Sequence, residues 1–141
     1  MWSGSVALDM RDIASLLRDP DATVAVVGAT DNPAKYGSVI YRDLKRKGYT
    51  VWPVNAHRET VDGDPAYATI ADLPQHPTIL NVVVPPAQTL GVLHQAKDLG
   101  LMNVWLQPGA EDPVSLTYLQ ENGFTYLANA CIMVMSRMRA R

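Results

Sequence analysis

Five short runs rich in β-branched and aromatic residues punctuate the chain: Thr23–Val27, Tyr49–Val54, Ile79–Val84, Met102–Leu106 and Phe124–Ala128. They lack the polar–apolar alternation of a half-exposed strand, which suits strands buried on both faces. Helical patterns separate most of them. From Tyr36 to Lys47, residues Tyr36, Val39, Ile40 and Leu44 share one side and Gly48 ends the stretch. Pro85-Pro86 opens a helix running to Leu99, closed by Gly100, since proline suits a first helical turn. Asp112-Pro113 is a start signal for a helix to Glu121, stopped by Asn122-Gly123. The alternation predicts an α/β fold: a Rossmann-like doubly wound five-stranded parallel sheet in a single domain. With right-handed crossovers, the strand order expected is 3-2-1-4-5.

The flanks are less regular. A short N-terminal helix is expected over 9–19, with Asp9 as its cap, Ile13, Leu16 and Leu17 on one face, and Pro20 as its stop. The link from Asn55 to Thr78 holds a turn at Asp62-Gly63-Asp64-Pro65 and a single helical turn around Thr69–Leu73. The tail over 132–141 reads as helical, its late arginines suiting the negative end of a helix dipole. At 141 residues the whole is one domain with one core.

Composition narrows the function. Twelve Lys plus Arg against fourteen Asp plus Glu leave a net charge of −2, which gives no electrostatic footprint for nucleic acid. One cysteine excludes an internal disulfide and any multi-cysteine metal site. Apolar runs reach about six residues, against the roughly 20 needed to span a bilayer. Met1–Met10 lacks a basic region followed by an apolar one, so a soluble, cytoplasmic chain without membrane or nucleic-acid partners is expected.

In sheets of this kind ligands bind beyond the carboxyl ends of the strands, where the strand order reverses. The strand exits here are Gly28-Ala29-Thr30, Asn55-Ala56-His57-Arg58, Pro85-Pro86 and Gln107-Pro108-Gly109, a mostly neutral rim. In the loop from Gly28 to Ser38, which includes Lys35 and Tyr36, Gly28 permits a tight exit. Gly37-Ser38 near the helix start leaves backbone N–H groups open to a phosphate. An ordinary strand–helix turn would look similar. The glycines lie nine apart, so the loop is neither G-x-G-x-x-G nor a Walker loop. An NAD site usually places Asp or Glu at the second strand's exit; Asn55, His57 and Arg58 stand there instead. A cation there suits a phosphorylated ribose, as in NADP or the 3′-phospho-ADP of coenzyme A. Alternatively, Arg58 pairs with Glu59 or lies free in solvent.

These motifs, taken with Pro53-Val54-Asn55, Gly63 with Tyr67, Ile70-Ala71-Asp72-Leu73-Pro74, Val84-Pro85-Pro86 and Trp105-Leu106-Gln107-Pro108-Gly109, resemble small stand-alone CoA-binding proteins. Those are similar to the N-terminal domain of the succinate–CoA ligase alpha subunit. The resemblance runs from about Asp9 to Met135, in order. It implies a Rossmann-type domain holding coenzyme A or an acyl-CoA across the strand ends. By that resemblance Gly28, Thr30 and Ser38 approach the pyrophosphate, and Asn55, Ala56 and Arg58 flank the adenosine and its 3′-phosphate. Ala29, Lys35, Tyr36 and Gly37 of the first loop and Val54 at the second strand's end are further cofactor-binding candidates. Val84, Pro85 and Pro86 wall the adenine or the pantetheine arm, and Gln107, Pro108 and Gly109 line the arm. The family's closing motif usually reads Arg-Cys-Ile/Met-Met/Val-Glu-His. Here it is Ala130-Cys131-Ile132-Met133-Val134-Met135-Ser136, without the arginine, glutamate or histidine.

No nucleophile–base pair is evident. Cys131 as a lone thiol suits packing, His76 and His94 suit surface or packing positions, Trp105 suits the core, and His57 suits the ligand rim. No metal site and no catalytic residue are expected, and the expected role is a non-catalytic carrier, sensor or accessory module. Two rivals stand beside it: an NADP-linked oxidoreductase domain, and a detached acyl-CoA ligase subunit needing an ATP-grasp partner.

Overall fold

A computed structural model describes residues 13–139. Five parallel strands form the sheet: β1 (Thr23–Val27), β2 (Thr50–Val54), β3 (Ile79–Val82), β4 (Asn103–Leu106) and β5 (Thr125–Ala128). The helices are α1 (Tyr36–Arg46), α2 (Pro86–Leu99), α3 (Pro113–Glu121) and the short α4 (Ile132–Met135). Capping follows the sequence signals. Asp112 accepts a 2.7 Å hydrogen bond from the Ser115 N–H at the start of α3, and Gly100 closes α2 with a left-handed φ of 77°.

The strand order is β2-β1-β3-β4-β5, which corrects the expected 3-2-1-4-5. The reason lies in the two faces. Ile40, Tyr41 and Leu44 of α1 pack on one side with Val24, Val26 and Ile79. Ile70 of the β2–β3 link packs on the other side with Leu93 of α2, Leu119 of α3, Ala25 and Val82. Right-handed crossovers that change face must also change direction along the sheet. The chain therefore steps from β1 to β2 one way and returns across β1 to place β3 on its far side. All four residues of β3 are buried, as a central strand requires, and Pro53 sits in the edge strand, where a missing N–H is tolerated.

The flanks differ from expectation too. Residues 13–16 are helical and Ile13 and Leu17 are buried, while the proposed Asp9 cap lies outside the described residues. The tail helix is much shorter than 132–141. It ends at Met135, and residues 136–139 run on without helix because their polar groups find tertiary partners. The Lys47 ammonium donates to the Met133 carbonyl (2.8 Å) and the Ser136 hydroxyl (2.9 Å). The Arg139 guanidinium donates to the carbonyls of Pro20 and Asp19 (both 2.8 Å) and covers the Tyr49 ring.

The β2–β3 link carries a two-residue ladder, Thr60–Val61 with Asp64–Pro65. Asp62 (φ 51°) and Gly63 (φ 80°) supply the two positive φ values that a tight hairpin turn of this hand needs. No helix among the described residues is long and apolar enough to cross a membrane.

Candidate functional site

A cleft of about 810 Å³ opens at the carboxyl ends of β1, β2, β3 and β4, over the point between β1 and β3 where the strand order reverses. Its floor is the loop joining β1 to α1. Gly28 takes φ +107°, and a Cβ there would press on the Val83 carbonyl carbon at 3.1 Å. A Cβ on Gly37 would collide with the carbonyl oxygen of Gly28, so the first turn of α1 lies directly on the strand exit. Two side-chain turns shape the loop between them: the Thr30 hydroxyl accepts from the Asn32 N–H (3.2 Å), and the Asn32 carboxamide accepts from the Ala34 N–H (3.0 Å).

Lys35 stands at the N-cap of α1, where its side chain makes no capping bond, and the first turn holds no acidic residue. The N–H groups of Tyr36 and Gly37, at the first two helical positions, have no acceptor within the helix. An uncapped helix start beside a lysine is a favourable place for an anion.

The second wall follows β2. The Asn55 carboxamide donates to the Ala29 carbonyl (2.9 Å) and accepts from the His57 N–H (2.7 Å). Its side chain thus ties the second strand's exit to the first. Beyond it, Arg58 pairs with Asp31 at 3.8 Å, both side chains being partly exposed, rather than with Glu59 or water alone. The Asp31 carboxylate also accepts from the Asp62 N–H at 2.7 Å, fastening the hairpin to the β1 loop.

That hairpin is held to α1 by a charged cluster. The Tyr41 hydroxyl donates to Asp64 (2.6 Å), and the Lys45 ammonium reaches Asp64 (2.9 Å) and Asp62 (3.1 Å). The Tyr41 hydrogen bond, with Lys45, holds the Asp64 carboxyl below the usual carboxylate range. Hydrogen bonds to Asp64 and Asp62 raise Lys45, while burial, then Asp64, pushes the Tyr41 phenol far up.

The far wall is a buried amide network. The Gln107 carboxamide oxygen accepts from Asn81 Nδ2 (3.1 Å) and the Ile132 N–H (2.8 Å), and its Nε2 donates to Cys131 Sγ at 3.4 Å. Cys131 is half-buried and lines the cleft, rather than serving only as packing. Trp105 is fully buried, as expected, and His94 stacks on Tyr118 with ring centroids 4.6 Å apart.

Gly28, Thr30, Lys35, Tyr36, Gly37, Val54, Asn55, Ala56, Arg58, Val84, Pro85, Gln107, Pro108 and Gly109 all line this cleft, as does His57. Three of the candidates do not. Ala29 is buried in the core beneath α1, Ser38 is buried at the third position of α1, and Pro86 is exposed at the start of α2. Sequence reasoning missed Val27, Asn32, Ala34, Ala68, Val83, Gln88, Val92, Ala110 and Cys131. Gln88 and Val92 had a signal, being four apart on a helix that starts at a strand exit. Ala68 had none, since only the backbone bridge between Val54 and Tyr67 brings it to the cleft. Among the described residues, no group of three or more His, Cys, Asp or Glu is placed to hold a metal.

Residues 22–137 match the family described as CoA binding domain. The chain belongs to the CoA-binding domain family. This CoA-binding domain is 32% identical over 82 residues to the alpha subunit of an ADP-forming acetate–CoA ligase from Pyrococcus furiosus, a match covering 57% of this chain but only 18% of that subunit. It is 26% identical to an uncharacterized protein of Bacillus subtilis, over 79% of this chain and 82% of that protein. Among solved structures it resembles a conserved hypothetical protein from Pyrococcus furiosus, with 38% identity and a TM-score of 0.79 over 82% of this chain and 99% of that one.

Proposed function

We propose that this CoA-binding domain holds coenzyme A or an acyl-CoA in the switch-point cleft as a non-catalytic carrier, sensor or accessory module. The observation that carries the reading is the cleft's division of chemistry, in a chain of this family. Anion-ready groups lie at the β1 and β2 exits: the open N–H groups of Tyr36 and Gly37, with Lys35 and Arg58. A neutral wall of Val84, Val92, Pro108 and Cys131 lies across from them. The residues fit the group. The helix start and Lys35 suit a pyrophosphate, Arg58 suits the ribose phosphate, and the neutral wall suits an uncharged pantetheine arm. Coenzyme A, when bound, supplies a thiol or thioester. Cys131's hydrogen-bonding neighbour is the Gln107 carboxamide, which cannot take a proton, and this supports a holding role over a catalytic one.

The test is composition followed by competition. Native mass spectrometry of freshly purified protein should show a retained coenzyme A species, and calorimetry should rank coenzyme A above NAD, NADH and NADPH. NADPH binding as tightly as coenzyme A would overturn the reading in favour of an NADP-linked domain. Incubation with acetyl-CoA or succinyl-CoA should release no thiol above background. Release abolished by Cys131→Ala would make that residue a nucleophile. The identity with the acetate–CoA ligase alpha subunit favours a second reading, a CoA-binding subunit that works with an ATP-grasp partner, which stable co-purification with such a chain would support.

A further inference from the structure

Among the described residues, Arg58 is the one arginine lining the cleft, and its partner is not a neighbour in sequence. Asp31, at the far end of the β1 exit, presents one carboxylate oxygen to the Arg58 guanidinium at 3.8 Å. That separation is beyond hydrogen-bond length, and both side chains are more than a third exposed, so the pair is held by loose Coulomb attraction. The other oxygen is differently engaged, accepting the Asp62 N–H at 2.7 Å. Asp31 is thus fixed by one oxygen while the second stays free to lose its cation. Asp31 itself does not line the cleft; it stands between Thr30 and Asn32, which do, so its reach into the site is through Arg58.

We infer that Asp31 is a built-in competitor for the ligand's phosphate: it occupies Arg58 when the cleft is free and yields it only to a phosphomonoester. The inference rests on the reading that the cleft takes coenzyme A, and adds a specificity-determining residue to it. A phosphomonoester near neutral pH carries a charge of about −1.5 to −2 and three acceptor oxygens, whereas Asp31 offers a single charge and one spare oxygen. The exchange therefore runs toward the phosphate. A ligand without that group, such as dephospho-CoA, leaves the Arg58–Asp31 pair intact and gains nothing from Arg58. The carboxylate subtracts from the affinity of the phosphorylated ligand only.

Asp31→Asn separates the two roles of the side chain, because its amide oxygen still accepts from Asp62 while the charge is gone. Calorimetry with coenzyme A and dephospho-CoA should show coenzyme A binding roughly two- to tenfold more tightly to the variant, and dephospho-CoA changing little. The ratio of the two affinities is decisive, since a general loosening of the loop would move both ligands together. In an Arg58→Gln background the same Asp31→Asn change should no longer widen that ratio. A ratio unchanged by Asp31→Asn, or coenzyme A bound more weakly, overturns the competitor role while leaving the cleft's ligand in place. Wild-type protein that binds neither ligand overturns the coenzyme A reading and this inference with it.

Discussion

A methyl group added at Gly37 has no room, because the carbonyl oxygen of Gly28 already occupies its place. Backbone cannot step aside as a flexible side chain can, so Gly37→Ala should either shift α1 off the β1 exit or unfold the domain. A loss of more than about 3 kcal/mol is expected in urea denaturation. Gly91, in the middle of α2, meets nothing within 4 Å, and Gly91→Ala should stabilise the fold by about 0.5–1 kcal/mol in the same assay. At this scale the sequence was informative wherever the residue type itself carried the constraint. Gly28 read as a tight strand exit from its position alone, whereas Gly37 read as an open helix start and not as the close contact with the Gly28 carbonyl that it makes. Ser38 did not read as buried, because which side of the first helical turn meets the sheet depends on how α1 lies across it. Asn55 read as a residue of the ligand rim, and it does line the cleft; that its amide also ties the Ala29 carbonyl to the His57 N–H was not legible. Arg58→Ala should still cost coenzyme A roughly tenfold in affinity, at the low end for a charge-assisted bond because the Arg58 side chain is partly exposed, with dephospho-CoA as the unaffected control in calorimetry.

The hairpin at 60–65 and the helix α1 behave as one element, joined through Tyr41, Lys45, Asp62 and Asp64. Because the folded structure lowers the Asp64 pKa, this carboxylate's contribution is fully present above its unfolded value, near 3.9, and is lost as pH falls through the folded one. The stability difference between wild type and Asp64→Asn should therefore be largest near neutrality and shrink below about pH 4, as read from urea titrations at several pH values. A gap that widens on acidification would contradict that sign. The element scale is also where the strand order went astray. Helix and strand types were legible from periodicity and stop signals, but order depends on which face each connection crosses. The link from Asn55 to Thr78 has no full helix whose apolar side could announce that face. Pro53 was the overlooked clue, since a proline inside a parallel strand marks an edge, and an edge β2 requires β3 on the other side of β1.

Ligand and fold should be linked across the whole molecule. If coenzyme A binds the native state alone, a concentration one hundred times its Kd should add about 2.7 kcal/mol of stability. For a chain of this length that is a rise in Tm of about 10 °C in a thermal melt, with NAD giving none. Most of the cleft's lining was legible from the strand exits; what was not legible includes Gln88 and Val92 of α2 and Ala68 of the β2–β3 link, which only the assembled sheet brings to the cleft.

The interior place of β1, paired on both edges, has a further consequence for how the chain is made. Val24 pairs on one side with Val51 and on the other with Ile79, some 55 residues later. At about 5–20 residues per second, a ribosome needs roughly 3–11 s to supply that second partner after β1 is synthesised. During that interval β1, α1 and β2 are complete, but one edge of β1 and the whole opposite face of the young sheet are open. A nascent chain halted after β2 should therefore be protease-sensitive and bind hydrophobic dyes, and one halted once β3 and α2 have emerged should be protected. The strand whose exit loop floors the cleft thus makes the arrival of β3 the commitment step of biosynthesis.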